Sequence, residues 1–177
     1  MPQHSPHDTF WSAPFDSLSV GQRFRSSERI VRDTDVIVFS ALTGDWHPQH
    51  CDPEWAARGP FGERIAHGML ILSLAVGLVP LDPERVVALR RVGDVVFKRP
   101  VRLNEAVHVA GELTALRPID DGNGLVEFSW QIRNHEDALV ARASVQVLWS
   151  RDVAPAPSWR EPIIGGAAPD EFVPLPL

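Results

Sequence analysis

The sequence predicts an α+β fold in which an antiparallel sheet wraps a central apolar helix. Residues 69–79 are apolar at almost every position, which is typical of a helix buried on every side. Four segments with stretches of alternating apolar and polar residues follow it, and turn sequences such as Asp121-Gly122-Asn123-Gly124 separate them. One buried helix followed by a β-meander indicates a sheet packed around that helix.

Length and composition indicate one globular domain. The 177 residues are 44% hydrophobic and include a single cysteine, Cys51, which we interpret as a packing residue in a chain of the reducing cytoplasm. The N-terminus lacks the pattern of a signal peptide, and no apolar run is long enough to span a bilayer. A net charge of −6 disfavours nucleic acid as a partner.

Three zones differ in composition. Residues 1–16 are rich in Pro, Ser and His, and we expect a loose arm that ends where Phe15 docks. Residues 17–150 carry all the periodic patterns and form the predicted domain. Residues 151–177 contain many prolines, which lack N–H donors, so we expect an extended tail.

The first half of the domain is predicted to hold one strand and three helices. The strand covers residues 23–31, and a helix capped by Asp33 or Thr34 ends at Gly44. Its expected apolar face consists of Val36, Ile37, Phe39, Ser40 and Leu42. A proline-bearing loop follows, then a short helix over 53–58 capped by Asp52, and the central helix over 68–79. The predicted strands of the second half cover residues 86–101, 106–117, 124–134 and 139–150.

Asp45 and His50 form the first candidate site. They lie in one loop that Pro48 stiffens, so both side chains can reach one pocket. A carboxylate and an imidazole that share a water are a competent acid/base pair, because histidine titrates near neutral pH. The alternative is a capped turn with a solvated imidazole.

Gly68 forms the second candidate site, at the start of the central helix. The first N–H groups of a helix lack internal partners and lie at the positive end of its dipole. Because glycine lets a carbonyl approach closely, these groups can stabilise an oxyanion. The alternative is that Gly68 serves only close packing.

The two segments together, residues 39–50 and 61–70, resemble the MaoC-like dehydratase family, which includes the (R)-specific enoyl-CoA hydratases (hydratase 2). The family pattern is an aromatic residue, Ser/Thr-Gly-Asp, any residue, Asn-Pro, an apolar residue and His, followed by a His-Gly-Met helix entry. The resemblance extends over about residues 17–150.

This resemblance implies a hot-dog fold and a homodimer or dimer of dimers, with the acyl thioester entering near the subunit interface. Asp45 and His50 then hold the catalytic water, and the N–H of Gly68 is the oxyanion donor. The implied reaction interconverts a trans-2-enoyl and an (R)-3-hydroxyacyl thioester, carried by CoA or an acyl carrier protein. No metal or redox cofactor is implied, since CoA or phosphopantetheine is part of the substrate.

The sequence departs from the family pattern at three positions. His47 replaces the usual Asn, Gln49 replaces an apolar residue and suggests a more polar pocket wall, and Val76 stands where some bacterial relatives have serine. We therefore assign no third catalytic side chain. The residues assigned to substrate binding are His47, His67, Trp46 and Val76, with core packing as the alternative for Trp46 and backbone hydrogen bonding for His67.

Two other functions remain open. A hot-dog thioesterase is disfavoured because such enzymes typically place a carboxylate on the central helix, and residues 69–79 contain no Asp or Glu. A non-catalytic acyl-binding or heterodimer subunit is disfavoured by the intact Asp45, His50 and Gly68. The basic residues that form either a solvated face or a phosphate contact are Arg90, Arg91, Lys98, Arg99 and Arg102.

Overall fold

The computed structural model describes residues 10–151. Its helices are α1 (Asp33–Thr43), α2 (Pro48–Cys51), α3 (Pro53–Ala57) and α4 (Gly68–Leu78). Its strands are β1 (Arg23–Arg25), β2 (Arg29–Ile30), β3 (Val86–Phe97), β4 (Ala106–Pro118), β5 (Asn123–Asn134) and β6 (Leu139–Ser150). The predicted tail and residues 1–9 of the predicted arm lie outside the described residues, apart from Arg151.

The strands form one antiparallel sheet in the order β1-β4-β5-β6-β3, with β2 also paired to β4. The long strands β4, β5 and β6 pair in chain order, which is the predicted meander. β3 lies at one edge and pairs with β6 only, within the part of the chain that the structure describes. The predicted α+β architecture is confirmed.

The single strand predicted over residues 23–31 was wrong, because the structure has the two strands β1 and β2. Arg25 pairs with Ala110 and Arg29 with Val107, so this segment advances one residue more than β4. Ser26 lies at this bulge, and its hydroxyl accepts a hydrogen bond from the N–H of Val109 at 2.9 Å. The side chain of Ser26 therefore accepts the hydrogen bond that a backbone carbonyl would accept in a regular strand pair.

Several predicted helix and strand ends hold, and others shift for identifiable reasons. Gly44 ends α1 in the left-handed conformation at φ 78°, and Asp52 caps α3 by accepting from two backbone N–H groups. The predicted cap of α1 was wrong, because Asp33 is already helical and Asp35 accepts from the N–H of Arg32 instead. β3 ends at Phe97, four residues before the predicted end at residue 101.

The core lies between α4 and the inner face of the sheet. The buried side of α4 consists of Leu70, Ile71, Leu72 and Ala75. The expectation that this helix is buried on every side was wrong, since Met69 is 56% exposed and Ser73 and Gly77 are exposed on the same side. The sheet covers only one side of α4 within one chain, so the other side is left open.

The expected apolar face of α1 is corrected in the same way. Val36 and Ser40 are fully buried, whereas Leu42 is 81% exposed and Ile37 is also exposed. Only one narrow face of this helix packs against the core, and apolar residues on its outer side are exposed to solvent. Helices α1 and α4 therefore each leave apolar side chains uncovered in the single chain.

The segment before β1 contributes to the core earlier than the sequence suggested. Phe10 and Trp11 are buried and stack on Phe128, so packing begins five residues before Phe15. The expectation of a loose arm before Phe15 was therefore wrong for Phe10 and Trp11, which pack in the core. No helix within residues 10–151 combines the length and hydropathy that a membrane span requires.

Candidate active site

The turn after α1 positions Asp45. Gly44 closes the helix, and the N–H of Asp45 then donates to the hydroxyl of Thr43 at 3.3 Å. The carboxylate of Asp45 accepts from the N–H of His47 at 3.2 Å, which fixes one of its oxygens. The other oxygen remains available for a water or a substrate, because the side chain is 51% exposed.

His50 lies on α2, a short helix inside the segment that was predicted to be a loop. Pro48 starts this helix, and the Nδ1 atom of His47 caps it by accepting from the N–H of Gln49 at 3.2 Å. The Nδ1 atom of His50 lies 2.7 Å from the carbonyl of Ile65. Since a carbonyl only accepts, Nδ1 carries the proton and the Nε2 of neutral His50 keeps a free lone pair.

Asp45, His50 and His67 converge although His67 comes from a different segment. One ligating atom from each side chain lies within 4.8 Å of the others. The ring of His67 stacks on that of His50, with centroids 3.8 Å apart, and its Nε2 donates to the carbonyl of Asp45 at 3.1 Å. His67 therefore touches both residues of the predicted acid/base pair.

These three groups have the spacing of a metal site, but their hydrogen bonds suit a water better. The Nε2 proton of His67 is held by the Asp45 carbonyl, and its Nδ1 is buried without a hydrogen-bond partner among residues 10–151. The Asp45 carboxylate and the Nε2 of His50 keep lone pairs free, whereas the lone pair of His67 is on its buried Nδ1. Zinc takes three or four protein ligands, whereas a water needs just these two partners.

The pKa of His50 is lowered from its ordinary value of 6.5. The largest cause is burial, and the neighbouring His67 and His47 act in the same direction. The hydrogen bond to Ile65 and the charge of Asp45 oppose this shift. His50 is therefore mainly neutral at pH 7, which is the form that accepts a proton.

Gly68 and His50 line the same cavity, which has a volume of about 290 Å³. Gly68 is the first residue of α4, so its N–H has no partner within the helix. The ring of Phe97 lies over it, and a Cβ at this position would be 2.9 Å from the ring. Other apolar lining residues are Phe61, Ile65, Ala66, Ile71, Pro100, Val101 and Val140, and the basic ones are Lys98 and Arg99.

The four predicted substrate contacts lie in different places. His67 is buried beside Asp45 and His50, while His47 is exposed and its Nδ1 is used by the helix cap. Trp46 is 53% exposed, and neither it nor Val76 lines the cavity of Gly68 within the described chain. A role of these residues in substrate binding stays a prediction.

Sequence reasoning missed several residues that build the site. The carbonyl of Ile65 orients His50, the fully buried Ser40 lies 3.3 Å from the Nε2 of His67, and the ring of Phe97 covers Gly68. A backbone carbonyl leaves no mark on a sequence. Ser40 did carry a signal, since it is a polar residue within the predicted apolar face of α1.

Known proteins are similar to this chain in sequence and in fold. The MaoC like domain matches residues 16–129. An (R)-specific enoyl-CoA hydratase of Aeromonas caviae is 39% identical over 57% of this chain and 75% of its own. The 3-hydroxyacyl-thioester dehydratase Z of Mycobacterium tuberculosis is 31% identical over 67% and 81%, respectively.

The fold is that of hot-dog proteins. A solved Mycobacterium tuberculosis protein described as a double hot-dog fold superposes with a TM-score of 0.70 at 21% identity, covering 84% of this chain and 46% of that one. The hot-dog fold predicted from the resemblance is thus confirmed. With the domain match spanning well over half of the sequence, the chain belongs to the MaoC-like dehydratase family.

Proposed function

We propose that this chain reversibly hydrates a trans-2-enoyl thioester to the (R)-3-hydroxyacyl thioester. At the level of class the family makes it a hydro-lyase, since its named relatives are a hydratase and a dehydratase of acyl thioesters. One observation carries the finer proposal. The Asp45 carboxylate and a His50 ring nitrogen lie within 4.8 Å of each other, and His50 shares a cavity with the helix-starting Gly68.

In this mechanism a water lies between Asp45 and the Nε2 of His50. His50 accepts a proton from the water, and the water oxygen bonds to C3 of the enoyl chain. The electrons of the C2=C3 double bond move toward the thioester carbonyl. The protonated His50 then gives this proton to C2, so that the H and OH of one water are added and His50 is neutral again. Reversal of the same steps eliminates water from the 3-hydroxyacyl thioester.

The N–H of Gly68 supports the charge that develops on the thioester oxygen. This N–H lies at the positive end of α4 and has no acceptor within the helix. One such preorganised donor lowers a barrier by about 3–4 kcal/mol. The thioester itself makes the C2 proton acidic, so the proposed chemistry assigns no step to a metal or redox cofactor.

The cavity rim suits the phosphate-bearing arm of CoA or a carrier protein. Lys98 and Arg99 line the cavity, both are exposed, and neither forms an ion pair with an acidic side chain in the described part of the chain. Such cations are free to pair with phosphate. We keep CoA and phosphopantetheine as the proposed carriers and the cytoplasm as the proposed compartment.

The uncovered apolar surface supports a homodimer. β3 is an edge strand with exposed Val87 and Leu89, and Met69 projects from the open side of α4. Edges of this kind are usually covered in folded proteins. The double hot-dog protein, of which this chain covers 46%, holds two such folds in one chain, and two copies of this protein would supply the same pair. A dimer of dimers remains within the proposal.

The test is turnover of trans-2-enoyl-CoA substrates of several lengths, followed by loss of the conjugated absorbance. We expect Asp45→Asn and His50→Ala each to lower the rate by about 100-fold or more. The matched controls are Asp121→Asn, in a surface turn, and His135→Ala, also exposed; both should keep wild-type rates. Release of free thiol would instead identify a thioesterase, and absence of both products would favour a non-catalytic subunit.

A further inference from the structure

The side chain of Gln49 lies inside the protein, between α2 and the loop that precedes α4. It is 7% exposed, and its Nε2 donates to the carbonyl of Glu63 at 3.0 Å. The hydration chemistry assigns it no role, and the family pattern has an apolar residue at this position. A buried amide is costly unless it is hydrogen-bonded, so its partner is informative.

Two further hydrogen bonds join the same segments. The N–H of Ile65 donates to the carbonyl of Gln49 at 3.4 Å. The ring of His50 donates in the opposite direction, to the carbonyl of Ile65 at 2.7 Å. The carbonyl that selects the tautomer of His50 thus belongs to a segment that Gln49 holds through both its side chain and its backbone.

Gln49 also touches the other end of this loop. A Cβ at Gly59 would lie 3.1 Å from the Oε1 of Gln49, so the backbone of Gly59 packs closely against the amide. Between the two contact points lies Phe61, which lines the cavity. One side chain therefore spans the base of the loop that carries a cavity wall.

The other side-chain ties of this loop lie nearer to solvent. Glu63 pairs with Arg102 at 2.6 Å, and both side chains are 53% exposed. Arg64 pairs with Asp33 at 2.8 Å; the Arg64 side chain is 20% exposed and that of Asp33 is 58% exposed. Ion pairs with an exposed partner are screened by salt and contribute little to stability, so the buried amide is the stronger constraint.

We propose that Gln49 is a positioning residue, which fixes residues 59–65 against α2 and thereby sets the ring orientation of His50 and the place of Phe61 at the cavity. This inference rests on the proposed function, because it assigns Gln49 to the service of the acid/base residue of that reaction. The departure of this chain from the family pattern then has a specific use: it replaces an apolar contact by a directed hydrogen bond.

The substitution Gln49→Met tests this, since it keeps the length of the side chain and removes the donor. The carbonyl of Glu63 loses its partner, and the bond from His50 to Ile65 weakens. Burial, His67 and His47 lower the pKa of His50, whereas the bond to Ile65 and the charge of Asp45 raise it. A weaker bond to Ile65 therefore lowers this pKa further. The acid limb of the kcat profile should therefore move to lower pH, and kcat should fall about tenfold or more, the effect of a misplaced catalytic group.

The matched control is Gln146→Met on β6, where Nε2 donates to the carboxylate of Glu127 at 2.9 Å, away from the loop. The readouts are the tautomer and pKa of His50 by nitrogen-15 NMR without substrate, then kcat and its pH profile. We expect only Gln49→Met to reduce the fraction of His50 protonated at Nδ1. Gln49→Leu serves as a second variant should the methionine variant fail to fold.

The outcomes separate the two proposals. A wild-type protein that turns over no thioester would defeat the proposed function, while the NMR comparison would still decide the role of Gln49. A Gln49→Met protein with a lower melting temperature but with wild-type His50 tautomer, pKa and kcat would show that the amide is merely structural. That result would overturn the inference.

Discussion

The substitution Gly68→Ala separates catalysis from stability at the start of α4. The new Cβ would lie 2.9 Å from Cζ of Phe97 and 3.0 Å from both Cε atoms, so the ring must move. Phe97 is 47% exposed and its ring is the free end of the side chain, so displacement costs about 0.5–1.5 kcal/mol, the range of an off-rotamer side chain. Alanine in a helix offsets this by up to about 1 kcal/mol relative to glycine.

The two stability terms nearly cancel, so the melting temperature should change by no more than about 4 °C. Activity should respond much more strongly. The methyl group would lie beside the N–H that donates to the thioester oxygen, and it would keep that oxygen at a distance. Loss of one oxyanion donor costs about 3 kcal/mol, or a factor of at least about 100 in kcat. Enoyl-CoA hydration and thermal unfolding of the same preparation measure both effects.

A second substitution distinguishes an effect on the Gly68 N–H from an effect of displacing the Phe97 ring. Phe97→Ala removes the ring that the new Cβ would meet. The folded double variant Gly68→Ala/Phe97→Ala should therefore have no steric conflict at residue 68. If the oxyanion reasoning is correct, the double variant stays as slow as Gly68→Ala. Recovery of the rate in the double variant, or a Gly68→Ala rate within about threefold of wild type, would refute the role of the Gly68 N–H.

Three further predictions concern the pH profile, the rim and the assembly. Burial lowers the pKa of His50, and the base acts in its unprotonated form. We therefore expect kcat/KM to stay constant through pH 7 and to fall only below pH 6.5 in a pH–rate profile. An acid limb above pH 6.5 would contradict this expectation. Arg99→Ala should raise KM about 5- to 10-fold for enoyl-CoA but leave a phosphate-free N-acetylcysteamine thioester unchanged, and equal effects on both would argue against phosphate contact. Val87→Asp places a charge on the exposed β3 edge and should yield a smaller species by light scattering, whereas an unchanged mass would remove β3 from the interface.

The elements with strong local signals were predictable. Gly44 ends α1, Asp52 caps α3, and β6 has the predicted bounds, since caps and alternation are encoded by neighbouring residues. The bulge between β1 and β2 was not predictable, because it arises where the hydroxyl of Ser26 meets β4, more than eighty residues away. Contacts of that range have no periodic trace in the sequence.

Burial was the least predictable property of the helices. The sequence suggested complete burial for α4 and an apolar buried face for α1, yet Met69 and Leu42 are 56% and 81% exposed. Hydrophobicity shows that a face avoids water, but it does not show whether the same chain or a second copy covers it. The single chain leaves these faces open, and we assign them to the proposed dimer.

The sequence alone determined which chemical groups are available: a carboxylate and an imidazole on one stiffened turn, and a glycine at a helix start. Those groups are set by residue types and short spacings, which a chain fixes locally. Only the tertiary structure decided how they are held, with His67 stacked on His50, the carbonyl of Ile65 selecting the His50 tautomer, and Gln49 tying that carbonyl in place. These interactions join segments that are distant in sequence and involve backbone atoms common to every residue, so they exist only once the chain has folded.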